Sequence, residues 1–240
     1  MKKIKMILDT DIGDDIDDAF ALAFAAHHDK LELIGVTTVF KHTESRAYQA
    51  SKYLNTIHRT DVDVCIGVGN PILEPIQYFN NDKPDKEGVV LPPQYDQSYK
   101  EFPVNKQSAV DYIIEKAELY QNELVIVPIG PLTNIAAAIT KKPSITKHIK
   151  KIVLMGGWFT NDTPEWNMLC DPEAADIVFK SGVPIYAVGL DVTLQCTVDK
   201  DLLEIIKRDN TKQGRLLALW FDRWKKHFDF EKSVMHDPLA

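Results

Sequence analysis

Residues 4–19 read Ile4-Lys5-Met6-Ile7-Leu8-Asp9-Thr10-Asp11-Ile12-Gly13-Asp14-Asp15-Ile16-Asp17-Asp18-Ala19. A short apolar run, Ile4–Leu8, passes into an acid-rich loop and then into a helical pattern, Ile16–His28. A strand that feeds a helix through a tight loop is the opening half of a βαβ unit. The same succession recurs along the chain. Further strands are expected at Leu33–Thr38, Val62–Ile66, Leu124–Pro128, Ile152–Met155 and Ile185–Gly189. Helices are expected at Glu44–Ile57, Ser108–Tyr120, Leu132–Thr140, Pro172–Lys180, Lys200–Arg208 and Gln213–Phe228. Most of the strand runs are Val- and Ile-rich and apolar on both faces, as in a sheet covered on both sides. The fold class expected is α/β, a mainly parallel Rossmann-like sheet with helices on both faces. With no repeat and no low-complexity linker, residues 1–240 read as a single domain.

The rest of the composition narrows the function. Six acids, Asp9, Asp11, Asp14, Asp15, Asp17 and Asp18, fall within ten residues of a chain whose net charge is −7. Without them 28 basic residues face 29 acidic ones, so the chain carries one acidic locus on a near-neutral body. That balance argues against a nucleic-acid surface. No apolar run approaches the ~20 residues that span a bilayer, which argues against a membrane protein. The apolar segment before Asp9 is too short for a signal-peptide core, so a cytoplasmic location is expected. Cys65, Cys170 and Cys196 are far apart and unpaired in spacing, and read as reduced structural thiols. Trp220 and Trp224, four apart on a helix, read as core or interface. Asn70–Pro103 holds six of the 13 prolines and three tyrosines. It reads as a long irregular segment of functional or embellishing character.

In such folds ligands sit at the carboxyl ends of the strands. The residues there are Asp9-Thr10-Asp11, Val39–His42, Ile129-Gly130-Pro131, Gly156-Gly157-Trp158 and Leu190-Asp191. Capping the next helix could justify two acids in the first loop but not six, because each contributes only a few tenths of a kcal/mol. Carboxylates this close repel, and some titrate upward unless a cation neutralises them. A hard divalent cation fits, Ca²⁺ more readily than Mg²⁺, since it accepts several carboxylates in loose geometry. An EF-hand is excluded: its loop needs Gly at the sixth position and Glu at the twelfth. Counted from Asp9 those positions hold Asp14 and Phe20, and counted from Asp11 they hold Ile16 and Leu22. A haloacid-dehalogenase-type phosphatase also opens on a strand and Asp-x-Asp. It wants Thr or Val where this chain has Gly13. At the other end, Asp237-Pro238 announces a helix N-terminus, yet Ala240 follows two residues later.

Taken in order, Asp9-Thr10-Asp11…Asp17-Asp18-Ala19, Val36-Thr37-Thr38-Val39, Gly130-Pro131-Leu132-Thr133-Asn134, Met155-Gly156-Gly157, Glu165-Trp166-Asn167, Asp171-Pro172-Glu173-Ala174-Ala175, Leu190-Asp191-Val192-Thr193 and His236-Asp237-Pro238 resemble the nucleoside hydrolases, the inosine–uridine-preferring nucleoside N-ribohydrolases. The resemblance runs from Ile4 to Ala240 and implies the nucleoside hydrolase fold. It implies Ca²⁺-dependent hydrolysis of the N-glycosidic bond of a ribonucleoside, giving ribose and free base in nucleoside salvage. By position, Asp11, Asp18 and Asp237 look like metal-ligating carboxylates and the main-chain carbonyl of Ile129 like a further ligand. Asp11 also looks like the base for an activated water, and His236 like the residue that protonates the leaving base. Asp17, Glu165 and Asn167 look like ribose partners, with Asn161 and the backbone of Met155 as further candidates. The small-molecule partner would be a ribonucleoside, and the quaternary state a homodimer or homotetramer.

The chain departs from the family's pattern at four places. The first loop is two residues longer than the commoner form, and Asp17-Asp18 are aligned with the family's pair because Ala19 follows them. Where many members carry a ribose-binding Asn after Val39, Phe40-Lys41-His42 stand here, and His42 is the candidate substitute. Glu87-Gly88 replaces a common His-Gly, which leaves the base preference open. Members usually extend tens of residues beyond His-Asp-Pro, so a single domain lacking the family's C-terminal segment is expected. Two alternatives to the hydrolase stand at this point: a nucleoside- or ribose-binding protein without turnover, and the metal-dependent phosphatase.

Overall fold

The computed structural model describes residues 2–198, 200–229 and 233–240. Six strands form one sheet: β1 (Ile4–Thr10), β2 (Leu31–Thr38), β3 (Asp63–Cys65), β4 (Leu124–Pro128), β5 (Ile149–Met155) and β6 (Ile185–Val188). The order is β3-β2-β1-β4-β5-β6, and every neighbouring pair is parallel. The helices are α1 (Asp17–His27), α2 (Thr43–Thr56), α3 (Ala109–Leu119), α4 (Thr133–Lys141), α5 (Trp166–Cys170), α6 (Pro172–Phe179), α7 (Leu190–Thr193), α8 (Lys200–Arg208) and α9 (Lys212–Phe228). This is the doubly wound α/β arrangement expected from the sequence. The order reverses direction between β1 and β4, which opens a crevice at the carboxyl ends of those two strands.

β1 runs two residues past its apolar core because its ladder does. Asp9 pairs with Thr37 on one side and with Pro128 on the other. Two packed layers cover the sheet. On one face Leu8, Val36 and Val127 meet α1, α2 and α9 through Leu22, Tyr53 and Trp220. On the other Ile7, Ile126 and Ile152 meet α3, α4 and α6 through Ile113, Ile135 and Val178. Trp220 and Trp224 are fully buried, as their helical spacing predicts. The Trp220 indole donates to the Tyr99 hydroxyl at 3.0 Å. Cys65 and Cys170 are buried free thiols, and burial pushes Cys65 up to about 12.

The structure adds elements that periodicity does not reveal. α5 and α7 span five and four residues, too short to show a helical period. A short antiparallel pair, β7 (Thr197–Val198) with β8 (Ser233–Val234), brings the last residues back towards the sheet. Asp237–Leu239 then forms a single 3₁₀ turn. Between β3 and the 3₁₀ turn at Gln97–Glu101 the chain carries no helix or strand. It is nevertheless pinned: Phe40 and Lys41 donate backbone N–H groups to Val68 and Gly69, and Gln94 donates to the carbonyls of Asp14 and Asp15. No helix among the described residues is long and apolar enough to cross a membrane.

Trp220 packs on Tyr53 and Tyr99 at ring-centroid distances of 6.2 Å each. Trp220→Ala is expected to cost about 3–5 kcal/mol of unfolding free energy in urea denaturation. A loss under about 1 kcal/mol would show that α9 is not part of the core.

Candidate active site

The crevice beside β1 is a cavity of about 220 Å³, and its walls come from seven separate segments. The loop after β1 supplies Asp11, Asp14 and Asp15, and the first turn of α1 supplies Asp17 and Asp18. Acids at a helix N-terminus are favoured by the helix dipole. The Thr10 hydroxyl donates to Asp18 Oδ1 at 2.5 Å. Asp17 Oδ2 accepts the backbone N–H groups of His236 and Asp237 at 2.9 and 3.1 Å. Those two bonds draw the end of the chain into the crevice, so carboxylate oxygens of Asp17, Asp18 and Asp237 lie within 4.8 Å of one another. All three residues are buried. Gly130 is required beside them, since a Cβ there would lie 2.5 Å from Asp11 Oδ1.

The electrostatics follow from burial. Desolvation pushes Asp11 up to about 7, with Arg46 opposing the shift and Asp14 adding to it. It pushes Asp17 up to about 6 against the two backbone N–H groups. Asp18 and Asp237 rise well above the usual carboxylate range, first by burial and then by each other's neighbours Asp11 and Asp17. Asp15 also rises by burial, with Asp17 adding to the shift. Asp14 behaves differently. Burial would raise it, but Arg46 and then Lys41 hold it below the usual range. A hard cation with oxygen ligands suits such a cluster, because it removes the repulsion that the folded chain otherwise carries.

The opposite wall carries hydrogen-bonding groups and an apolar panel. Glu165 caps α5: its Oε1 accepts the Asn167 N–H at 2.9 Å, and its Oε2 accepts the N–H groups of Gly157 and Met168. The Asn167 amide donates to the main-chain carbonyls of Ile129 at 2.9 Å and Met155 at 3.3 Å. The His236 ring is held by the Thr193 hydroxyl at Nδ1, 2.7 Å away, and burial lowers its pKa. Phe79, stacked on Trp166 at 4.4 Å and 17°, completes the panel with Leu190.

The structure therefore brings together Asp11, Asp17, Asp18, Ile129, Met155, Glu165, Asn167, His236 and Asp237. Two other candidates lie elsewhere. His42 is the N-cap of α2, where its Nδ1 accepts the Ser45 N–H at 3.2 Å. Asn161 is exposed and spends its Oδ1 on the Thr163 N–H. Neither lines the cavity: a local cap bond uses His42 Nδ1 and a turn bond uses Asn161 Oδ1. Asp171 and Asp191 spend their carboxylates on structural bonds. Asp171 caps α6 and accepts the Thr133 hydroxyl, and Asp191 ties residues 159–160 to the end of β6. Sequence reasoning gave no role to Asp9, Arg46 or Phe79. Asp9 accepts the Thr37 hydroxyl at 2.5 Å and the Asn134 amide at 2.7 Å, knitting β1, β2 and α4 together. Its double-sided pairing position in β1 was the available signal; Phe79 sits in an irregular segment that offers none.

A family model, inosine-uridine preferring nucleoside hydrolase, matches residues 6–240. The chain belongs to this family. Uridine nucleosidase 1 of Arabidopsis thaliana is 35% identical over 253 residues, covering 100% of this chain and 73% of the relative. The pyrimidine-specific ribonucleoside hydrolase RihB of Escherichia coli O157:H7 is 35% identical over 226 residues, 91% of this chain and 69% of the relative. Among solved structures, a purine-preferring ribonucleoside hydrolase from Gardnerella vaginalis superposes with a TM-score of 0.80 at 34% identity, covering 98% of this chain and 78% of that one. The nucleoside hydrolase is an enzyme acting on N-glycosyl bonds, and its acidic crevice is a metal-suited site. The phosphatase alternative has no support in this family.

A pH prediction follows for the metal-free hydrolase. Asp9 and Asp11, at about 7, and Asp17, at about 6, are raised from 3.8. A carboxyl raised in the folded state penalises folding fully above its folded pKa, and the penalty fades as pH falls through that value towards the unfolded one. Thermal unfolding in chelator should therefore show Tm rising from pH 8 to about pH 5.5, a trend that saturating Ca²⁺ flattens. A Tm that falls throughout that range in chelator would contradict the assignment.

Proposed function

We propose that the protein is a Ca²⁺-dependent ribonucleoside hydrolase that releases ribose and a free base. The observation that carries the reading is the buried trio Asp17, Asp18 and Asp237, with Asp11 beside it, facing one cavity that also presents amide and imidazole groups. Asp11, Asp18, Asp237 and the Ile129 carbonyl would hold the ion; every donor in that set is a hard oxygen, as Ca²⁺ prefers. Asp17 gives one oxygen to the backbone of residues 236–237 and keeps the other for ribose. When bound, the ion lowers the pKa of a water in the site.

The remaining chemistry falls to the chain's own residues. Asp11 takes the proton of the attacking water. Asp17, Glu165 and Asn167 orient the sugar and offset the positive charge of an oxocarbenium-like transition state. Glu165 is suited to this because three backbone N–H groups immobilise its carboxylate. His236 protonates the departing base. The tautomer in which the Thr193 hydroxyl donates to Nδ1 places the ring proton on Nε2, the form this role needs. The named relatives act on uridine, pyrimidine or purine nucleosides, so inosine, uridine and cytidine are all candidate substrates.

Base release from these three nucleosides, measured with and without chelator, tests the reading. Activity should vanish in chelator and return with Ca²⁺; no release from any of them by folded, calcium-loaded protein would sink it. Asp11→Asn should lower kcat by about 10²-fold or more with the fold retained. His236→Gln should slow inosine cleavage far more than cleavage of p-nitrophenyl riboside, whose leaving group needs no proton. Equal slowing of both would remove His236 from the proton transfer.

A further inference from the structure

Asp14 and Asp15 line the cavity without a task in the proposed reaction, and of the two Asp14, 4% exposed, carries the ion pairs. Its Oδ2 accepts Arg46 Nη2 at 2.9 Å and Lys41 Nζ at 3.0 Å. Arg46 is fully buried and spends its other N–H groups on the carbonyls of Phe40, Asp11 and Ile12. The Lys41 ammonium also reaches Asp82 Oδ2 at 2.8 Å and lies 4.7 Å from the Phe79 ring centre. Phe40 and Lys41 both adopt left-handed backbone, at φ 68° and 54°. Two consecutive non-glycine residues in that region carry strain that the surroundings must hold in place.

Burying two cations and two carboxylates is costly unless their geometry is well satisfied. Here the balance is even, Lys41 and Arg46 against Asp14 and Asp82, so Asp14 needs no metal to be neutralised. That separates it from Asp11, Asp18 and Asp237. The other acids on the wall that face sugar have spent oxygens on backbone: Asp17 through Oδ2 and Glu165 through both. The hydrogen bonds of Asp14 run through Oδ2 alone. What remains is a rigid, charge-balanced acceptor at a substrate cavity. The donors that every ribonucleoside shares are its ribose hydroxyls.

Building on the nucleoside-hydrolase reading, we infer that Asp14 is a substrate-binding carboxylate that accepts a ribose hydroxyl, with Lys41 and Arg46 as its positioning residues. Asp14 stays ionised across the working range because both cations pull it below the usual carboxylate range, although burial opposes them. Lys41 also joins Asp14 to the segment carrying Phe79, so the acceptor and the aromatic wall are set by one ammonium group.

The test measures kcat and KM for inosine and its 2′-, 3′- and 5′-deoxy analogues with wild type, Asp14→Asn and Lys41→Gln. Loss of a hydrogen bond to a charged group corresponds to about 10–100-fold. Asp14→Asn should cost that in kcat/KM on inosine, mainly through KM, and nothing further on one of the three analogues. Lys41→Gln should show a smaller loss with the same analogue spared. Equal losses on all four substrates, or none, overturn the inference. So does a tenfold weakening of Ca²⁺ binding in Asp14→Asn by calorimetry, which would make it a ligand. If wild type cleaves no nucleoside, the hydrolase reading fails on its own. Asp14 is then judged by NMR titration with ribose, where unchanged affinity in Asp14→Asn overturns its role.

Discussion

Gathering carboxylates in a place that water does not reach is the constraint on which the rest of this molecule depends. The chain meets it in three different ways within one loop. Asp14 is balanced by Lys41 and Arg46. Asp17 is met by the backbone N–H groups of His236 and Asp237. Asp11, Asp18 and Asp237 are left with unrelieved repulsion, the condition in which a bound divalent cation adds most to folding stability. Any cation held there would act on folding as well as on chemistry, since the same charges oppose the compact state.

The sheet decides where this happens. Strand order reverses between β1 and β4, and residues following β1 and β4, with Met155 at the end of β5, line the cavity there. Gly130 lets β4's turn approach Asp11. Asp9, two residues before Asp11, is buried as a tie between β1, β2 and α4. Asp9 is the structural acid inside the strand, and Asp11, in the loop just past its end, is the one that reaches the cavity.

Much of this could be read from sequence. The strands were legible because both faces of a covered sheet are apolar, and Leu124–Pro128 and Lys200–Arg208 match to the residue. The acid loop was legible because six like charges in ten residues need an explanation beyond capping. The helical pattern expected from Ile16 begins at Asp17 in the structure. Residues whose role depends on a three-dimensional partner were not legible. Nothing local distinguishes Arg46 from a surface arginine on an amphipathic helix, yet it is fully buried. His42 looked available for substrate until the helix it precedes claimed its ring as a cap. Phe79 comes from a stretch without periodicity, so only its stack on Trp166 reveals it.

The bonds from Asp17 to His236 and Asp237 span 219 and 220 residues of sequence. A ribosome delivers the first loop long before it delivers the residues that complete the cluster. During synthesis the early acids face one another without Asp237, so the buried cluster of Asp17, Asp18 and Asp237 is complete only when residues 236 and 237 dock.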